Sequence, residues 1–503
     1  MSPADDRRDP SGRQRGAARS QGRTQRTAAA PSQRRRGSDP ARTAAYDVLR
    51  AVDGSDSYAN LVLPPLLRDR RITGRDAAFA TELAYGTLRL RGRYDAVIAQ
   101  AAAREVSTID APALDVLRLG VHQLLGMRVP AHAAVSETVG LAREQLGTGP
   151  SQFVNAVLRT VGRTTSEEWE QRIAEAAGDD ELARLSVTQS HPLWVVRALR
   201  EALVGNGRSA DEIGALLTAD NAAPRVTLVA RPGLVDQEAV LEETEGAGLF
   251  GALTPTGVIL TGGDPAALPT VRDGRAGVQD EGSQLVALAL TEAPLDGPDA
   301  RWLDLCAGPG GKAALLAAVA GERGARIVAN ELQPHRARLV EQALRAVPAD
   351  AVEDVRTGDG RTVGTDEPGA YDRVMVDAPC TGLGALRRRP EARWRRTPAD
   401  LAGLSALQRD LLVSALQAVR PGGVVAYVTC SPHLVETQLV VKDAVKAASR
   451  AGVEVEPVDA REVVRRIAPG GYVDLDDDRT DVQLWPHVHG TDAMHLTLLR
   501  RTS

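Results

Sequence analysis

The chain has 503 residues, 43% of them hydrophobic and 25% charged, with 61 basic against 66 acidic side chains and a net charge of −5. That length predicts about three domains plus tails, and that apolar content excludes wholesale disorder. No run approaches about 18 consecutive apolar residues and no apolar stretch follows the charged N-terminus, so we expect neither a membrane span nor a secretory signal, and a cytoplasmic protein. Arginine dominates the basic set, since Lys312, Lys442 and Lys446 are the only lysines. Residues 1–38 are rich in Arg, Gly, Ser and Gln and almost free of large apolar side chains, which predicts a disordered basic tail.

Residues 39–165 turn helical. Leu114, Leu117, Val121, Leu124 and Leu125 recur on one helix face, with similar patterns over 41–53, 76–103, 133–147 and 151–162. Gly147, Gly149 and Pro150 punctuate them. Periodicity alone supports an all-α bundle. The phrases LRLGVHQLLGMRVPAHAAV (117–135) and FVNAVLRTV (153–161) resemble the NusB-like RNA-binding domain, which implies contact with RNA. Residues 166–275 read as a small α+β module, with the phrase SHPLWVVRALREAL followed by β-like runs at 226–229 and 257–260 around a helical segment near 236–246.

From 276 to 503 strands alternate with helices, the pattern of an α/β doubly wound, Rossmann-like sheet. We expect strands at 301–306, 326–330, 352–356, 373–377 and 424–429, and helices at 312–320, 334–345 and 399–419. Ligands in such sheets bind beyond the carboxyl ends of the strands, so chemistry is sought there. The first strand runs into Cys306-Ala307-Gly308-Pro309-Gly310-Gly311-Lys312 at a helix start, a turn suited to a nucleotide-like anionic cofactor. A Walker A loop fails, because Cys306 stands at its first Gly and Ala313 at its Ser/Thr. A dinucleotide fingerprint is met by Gly308, Gly310 and Ala313 with Glu331 downstream, but S-adenosyl-L-methionine uses the same geometry, and the loop does not choose between them.

The later strands narrow the choice. One ends in Asp377-Ala378-Pro379-Cys380-Thr381 and the next in Thr429-Cys430-Ser431-Pro432. A lone cysteine there is commonly a small core hydrophobe. Two at corresponding strand ends, in a chain whose three cysteines form no disulfide framework or metal spacing, point to thiol chemistry. A thiolate that adds to carbon 6 of cytosine makes carbon 5 nucleophilic enough to take a methyl group from a sulfonium, and a second thiol can assist release. A carboxyl that is protonated or shares a proton at N3 would stabilise charge developing in the adduct, and Asp377 is placed for that role.

The blocks DLCAGPGGK, DAPCTGLGALRRRPEARW and YVTCSPHLVET resemble motifs of RNA 5-methylcytosine methyltransferases of the Nol1/Nop2/Sun family, and VQDEGSQLVALAL and LWPHVHGTDAMHLTLL match further phrases of it. The resemblance covers about residues 41–500 and implies methylation of small-subunit ribosomal RNA by a monomer without metal or membrane. It implies Cys430 as nucleophile, Cys380 in product release, Asp377 at the cytosine and bordering the cofactor, and Lys312 orienting the site. It also implies S-adenosyl-L-methionine held by Cys306 to Lys312, Glu331 at the ribose and Asp359 near the adenine. Glu331 departs from the usual Asp, Gly308 and Ala313 from the usual Ala and Thr, and Thr437 from the usual Asn. Transfer RNA as substrate, or a non-catalytic assembly or antitermination factor, are the alternatives.

Residues 387–396 carry six arginines and one Trp. We read Arg387, Arg388, Arg389, Arg393 and Arg395 as a phosphate-binding strip for RNA, with Trp394 stacking on a base or holding the loop. His433, His487, His489 and Asp492 are expected to be structural, and Cys306 to be a packing residue.

Overall fold

Seven α-helices, from Pro40–Gly54 to Thr148–Val161, build the first body of the computed structural model, which describes residues 39–54, 57–475 and 478–503. The basic tail expected over 1–38 lies outside the described residues. Helix Ala111–Leu125 runs through the centre of the bundle: Leu114, Leu117 and Val121 are buried, and so are its polar residues Asp115, Arg118, His122 and Gln123. Those buried charges are paired, with Arg118 donating to Asp95 at 2.7 Å and to Asp115 at 2.9 Å, as a charge inside a core must be. The helical stretch expected over 76–103 is two helices, Gly74–Arg89 and Arg91–Ala102, broken at Leu90. Helix Ala59–Asp69 escapes a sequence reading because Pro64 and Pro65 lie inside it, where each removes a backbone donor.

Four helices between Ser166 and Asn221 lead into a four-stranded antiparallel sheet of β1 (Val226–Ala230), β2 (Gly248–Phe250), β3 (Gly257–Leu260) and β4 (Ala276–Val278), in the order β2-β3-β1-β4. Strand β4 lies past residue 275, so this sheet extends into the segment read as the start of the next unit. Helices Leu193–Gly205 and Ile213–Asn221 share a core with Leu383, Leu386, Ala392 and Trp485 of the C-terminal body.

The C-terminal body is built on a larger sheet. Its strands are β5 (Arg301–Asp304), β6 (Arg326–Glu331), β7 (Val352–Thr357), β8 (Tyr371–Asp377), β9 (Val419–Thr429), β10 (Val455–Val458), β11 (Val482–Gln483) and β12 (His495–Arg501). The order is β10-β12-β9-β8-β5-β6-β7, with β11 paired to β12. Strands β5 to β9 are parallel, whereas β12 joins β9 antiparallel, so the sheet is mixed at one edge. Cores cover both faces, one around Leu315, Ile327 and Val428, the other around Val374, Leu412 and Tyr427. The chain leaves β5 for β6 on one side and later returns to β8 on the other. That reversal opens a crevice at the carboxyl ends of β5 and β8.

The arginine-rich segment 387–396 corrects an expectation. Arg393 is fully buried and donates to the carbonyls of Arg89 and Ser190 and to the Asn221 side chain, at 3.2, 3.0 and 2.8 Å. Arg387 donates to the Gly490 carbonyl at 2.7 Å and Arg388 to Asp492 at 2.8 Å, while Arg395 donates to the Val52 carbonyl at 2.9 Å. Glu391 accepts from the Ala59 N–H at 2.8 Å, and the Trp394 ring fills the space that a side chain at Gly92 would need. These arginines are therefore not a solvated phosphate strip: protein oxygens take their donors, and the segment ties the C-terminal body to the bundle and the connecting helices. Arg389 lies over the Tyr58 ring at 5.2 Å.

Beside Arg393, Asp220 is buried with no hydrogen-bond donor on either oxygen, and burial pushes its carboxyl up to about 7 despite the nearby Arg393. Burial and Arg393 hold His191 next to it well below its usual range, hence neutral. A folded-state pKa above the unfolded value of about 3.9 means that folding favours the protonated acid. Stability from Asp220 is thus fully present below about pH 4 and is lost as pH rises through about 7. Relative to wild type, Asp220→Asn should therefore gain melting temperature as pH rises from 5 to 8, read by scanning calorimetry. A difference between the two that stays constant over that range would refute the assignment.

Candidate active site

Strand β5 ends at Asp304 and the chain turns through Leu305–Gly310 into helix Gly311–Glu322. Gly310 has φ +92° and a Cβ there would stand 2.7 Å from Ala343 Cβ and 2.9 Å from Val340 Cα, so both conformation and space demand glycine. No atom lies within 4 Å of a Cβ built at Gly311, which leaves the helix N-terminus open to a ligand. Glu331 closes strand β6 and accepts from the Gly308 N–H at 2.9 Å and the Gln333 N–H at 3.0 Å. Asn330 donates to the carbonyls of Leu305 and Gly358, at 3.0 and 3.2 Å, and so ties the ends of three strands together. Asp359 sits just beyond β7, and Arg361 beside it holds its carboxyl below the usual range.

Asp304 is the residue that the sequence reading missed here. It is fully buried, neither oxygen meets a donor, and burial together with Asp377 pushes its pKa up to about 7. Its signal was an acid ending a strand ahead of a glycine turn. An orphaned buried carboxyl beside an open helix start and a second acid, Glu331, fits a cofactor with an amino-acid end and ribose hydroxyls. Burial pushes Cys306 well above the usual thiol range, which suits the packing role expected of it.

Four further expected residues converge at the glycine loop. Lys312 reaches from the first turn of the helix and donates to Asp377 at 2.8 Å. Burial lowers its pKa, but Asp377 more than offsets this and keeps the ammonium charged. Cys380 and Cys430 stand with their Sγ atoms 3.4 Å apart. The bond from Cys380 lowers the Cys430 thiol below its usual range against the opposing effects of burial and Asp377, with Lys312 and Arg389 adding to the lowering. The same bond, then burial, raises Cys380 well above its own. Cys430 is thus the better thiolate and Cys380 the better proton holder.

The loops that carry the thiols are tied together. Gly384 donates its N–H to the Cys430 carbonyl at 2.8 Å and accepts from the Ala493 N–H at 2.8 Å. Glu436, buried, accepts from the Thr381 N–H at 2.8 Å, from the Thr381 hydroxyl at 2.5 Å and from Gln408 at 3.1 Å. Neither Glu436 nor Gln408 was singled out from sequence, since nothing in their spacing links them to Cys380. His433 accepts from the Val435 N–H, His487 pairs with Glu212, and His489 bonds the Asp474 carbonyl and accepts from the Trp485 N–H. Asp492 is taken by Arg387 and Arg388. Among the described residues no group of three His, Cys, Asp or Glu side chains is placed to hold a metal ion, and no helix is long and apolar enough to cross a membrane.

Comparison with known proteins adds to this geometry. Residues 291–500 match the family described as 16S rRNA methyltransferase RsmB/F, and residues 39–163 match the NusB family. A Mycobacterium tuberculosis protein named as a methyltransferase is 51% identical over 468 residues, covering 93% of this chain and 98% of the relative. Ribosomal RNA small subunit methyltransferase B of Pseudomonas putida is 32% identical over 407 residues, covering 80% of this chain and 88% of the relative. The crystal structure of PH0851 shares the fold, with a TM-score of 0.74 at 20% identity, over 92% of this chain and 98% of that one.

A Cβ at Gly384 would stand 2.2 Å from the Ala493 carbonyl oxygen and 2.8 Å from that of Cys430. Because both neighbours are backbone, Gly384→Ala should lower stability by about 1–3 kcal/mol and displace the Cys430 loop. Thermal unfolding and the rate of Cys430 alkylation check this, and wild-type values for both would contradict it.

Proposed function

Because the chain belongs to the 16S rRNA methyltransferase RsmB/F family and is an RNA methyltransferase, we propose that it methylates carbon 5 of a cytosine in small-subunit ribosomal RNA, with S-adenosyl-L-methionine as donor. The observation that carries this reading is the pair of thiols 3.4 Å apart, beside the Lys312–Asp377 ion pair. The bound cofactor supplies an electrophilic methyl group on its sulfonium. The turn from Cys306 through Ala307, Gly308, Pro309, Gly310 and Gly311 would hold its amino-acid end, Glu331 the ribose and Asp359 the adenine side, with Asp304 at the base.

Cys430 adds to carbon 6 of the cytosine as thiolate, which turns the aromatic ring into an enamine whose carbon 5 can take the methyl group. A proton shared between the Asp377 carboxyl and N3 offsets the negative charge that develops at N3 and its neighbours, and Lys312 holds that carboxyl in place. After transfer the carbon 5 proton passes to water, the electrons of that C–H bond re-form the 5,6 double bond and the bond from carbon 6 to sulfur breaks, so that Cys430 departs as thiolate, stabilised by the Cys380 S–H beside it. The target base has to be unstacked for carbon 6 to reach a half-buried sulfur. The NusB-like bundle and Arg389, whose charge reaches Cys430, would contact the RNA backbone.

Purified protein incubated with labelled S-adenosyl-L-methionine and unmodified small-subunit ribosomal RNA, with transfer RNA in parallel, should place 5-methylcytosine in the ribosomal RNA. Cys430→Ser is expected to abolish transfer, whereas Cys380→Ser is expected to accumulate a covalent protein–RNA adduct that survives denaturing electrophoresis. An active Cys430→Ser variant would sink the mechanism, and methylation of transfer RNA alone would sink the substrate.

A further inference from the structure

We propose that Glu436 is a positioning residue for methyl transfer: its carboxylate clamps the loop after β8 to the loop after β9 and so sets the separation of Cys380 and Cys430. The proposal rests on the two-thiol reading above. Thr381, the residue after Cys380, gives both its N–H and its hydroxyl to Glu436. The Thr381 hydroxyl also lies 3.2 Å from the Ser431 hydroxyl, the residue after Cys430. Gln408 bridges the same carboxylate and the Pro379 carbonyl, at 3.1 and 2.8 Å. Glu436 is itself fixed to the β9 side, because its N–H donates to the His433 carbonyl at 2.8 Å and its carbonyl accepts from the Tyr427 hydroxyl at 2.7 Å. Every turn flanking a thiol is thereby bonded, directly or through one neighbour, to this one side chain.

The chemistry of the clamp favours geometry over stability as its role. Glu436 is wholly buried, and its partners are neutral donors. Burying a carboxylate is unfavourable, so a hydrophobic side chain would fill the space more readily. A planar group with two hydrogen-bonding atoms meets a backbone N–H and a hydroxyl at once, which no apolar side chain can do, and a carboxylate does so through short, directional, charge-assisted bonds. The Glu436 charge also adds, after the bond to Cys430 and burial, to what keeps Cys380 in its thiol form.

Phenylarsine oxide tests the clamp without RNA, since it condenses with two adjacent thiols to a cyclic dithioarsinite and water. Wild-type protein should bind it and Cys430→Ala should not. Glu436→Ala should weaken that binding at least about tenfold and lower kcat by about a hundredfold, as expected for thiols displaced by about 1 Å, while KM for S-adenosyl-L-methionine stays unchanged. Glu436→Gln, which can accept from the Thr381 N–H and donate to its hydroxyl, should restore both. Wild-type arsenical affinity and kcat in Glu436→Ala would overturn the proposal. Should circular dichroism show that variant unfolded, Thr381→Val replaces it, with smaller losses expected and wild-type behaviour again overturning the clamp. Arsenical binding that follows the clamp in a protein unable to methylate any cytosine would uphold the clamp and remove the two-thiol reaction.

Discussion

The parallel pairing of β8 with β9 is the constraint on which the site depends. In that ladder Asp377 stands opposite Val428, and the Ala378 N–H donates to the Val428 carbonyl at 2.9 Å. Neighbouring strands lie about 4.8 Å apart. Cys380 follows Asp377 by three residues and Cys430 follows Val428 by two, so sulfurs 50 residues apart in the chain leave the sheet side by side. On the other flank of β8, β5 is paired in parallel and delivers the glycine loop, from which Lys312 reaches Asp377. Three adjacent strand ends therefore bring two thiols, a carboxylate and an ammonium together. Changing the order of the strands would scatter them.

Electrostatics inside this crevice separates two like groups. The cysteines share one hydrogen bond, and it moves their acidities in opposite directions. Lys312 remains charged in a buried position because Asp377 faces it. At Asp304 burial and Asp377 outweigh the attraction of Lys312, and the carboxyl is pushed up to about 7. The same physics recurs at the junction, where the Asp220 carboxyl lies without a donor beside the Arg393 guanidinium that fastens three bodies together. The loop that leaves Cys380 runs straight into that junction. The bundle and the thiol loops are consequently parts of one packed unit, and the arginines that link them serve as internal struts.

Much of the sheet was legible because its strands are short apolar runs that end in polar or glycine-rich turns: the strand expected at 373–377 lies within Tyr371–Asp377, and that at 326–330 within Arg326–Glu331. The helical face at Leu114, Leu117 and Val121 was visible for the same reason of period. The antiparallel return of β12 was not visible, since a strand's direction in a sheet leaves no mark on its own residues. The arginine segment misled because composition cannot tell a guanidinium bonded to carbonyls from one facing water. Only the docking of helices Gly74–Arg89 and Ile213–Asn221 shows which it is.

The sequence by itself determined the types of residue that end each strand, the two cysteines and the glycine loop among them, because residue identity is a local property. Tertiary structure alone decided distances: the 3.4 Å between the sulfurs, the reach of Lys312 to Asp377, the seat of Glu436 over the Cys380 loop and the burial of Arg393. Each of these joins residues far apart in the chain, and separations of that kind are set by strand pairing and packing, which no window of sequence contains.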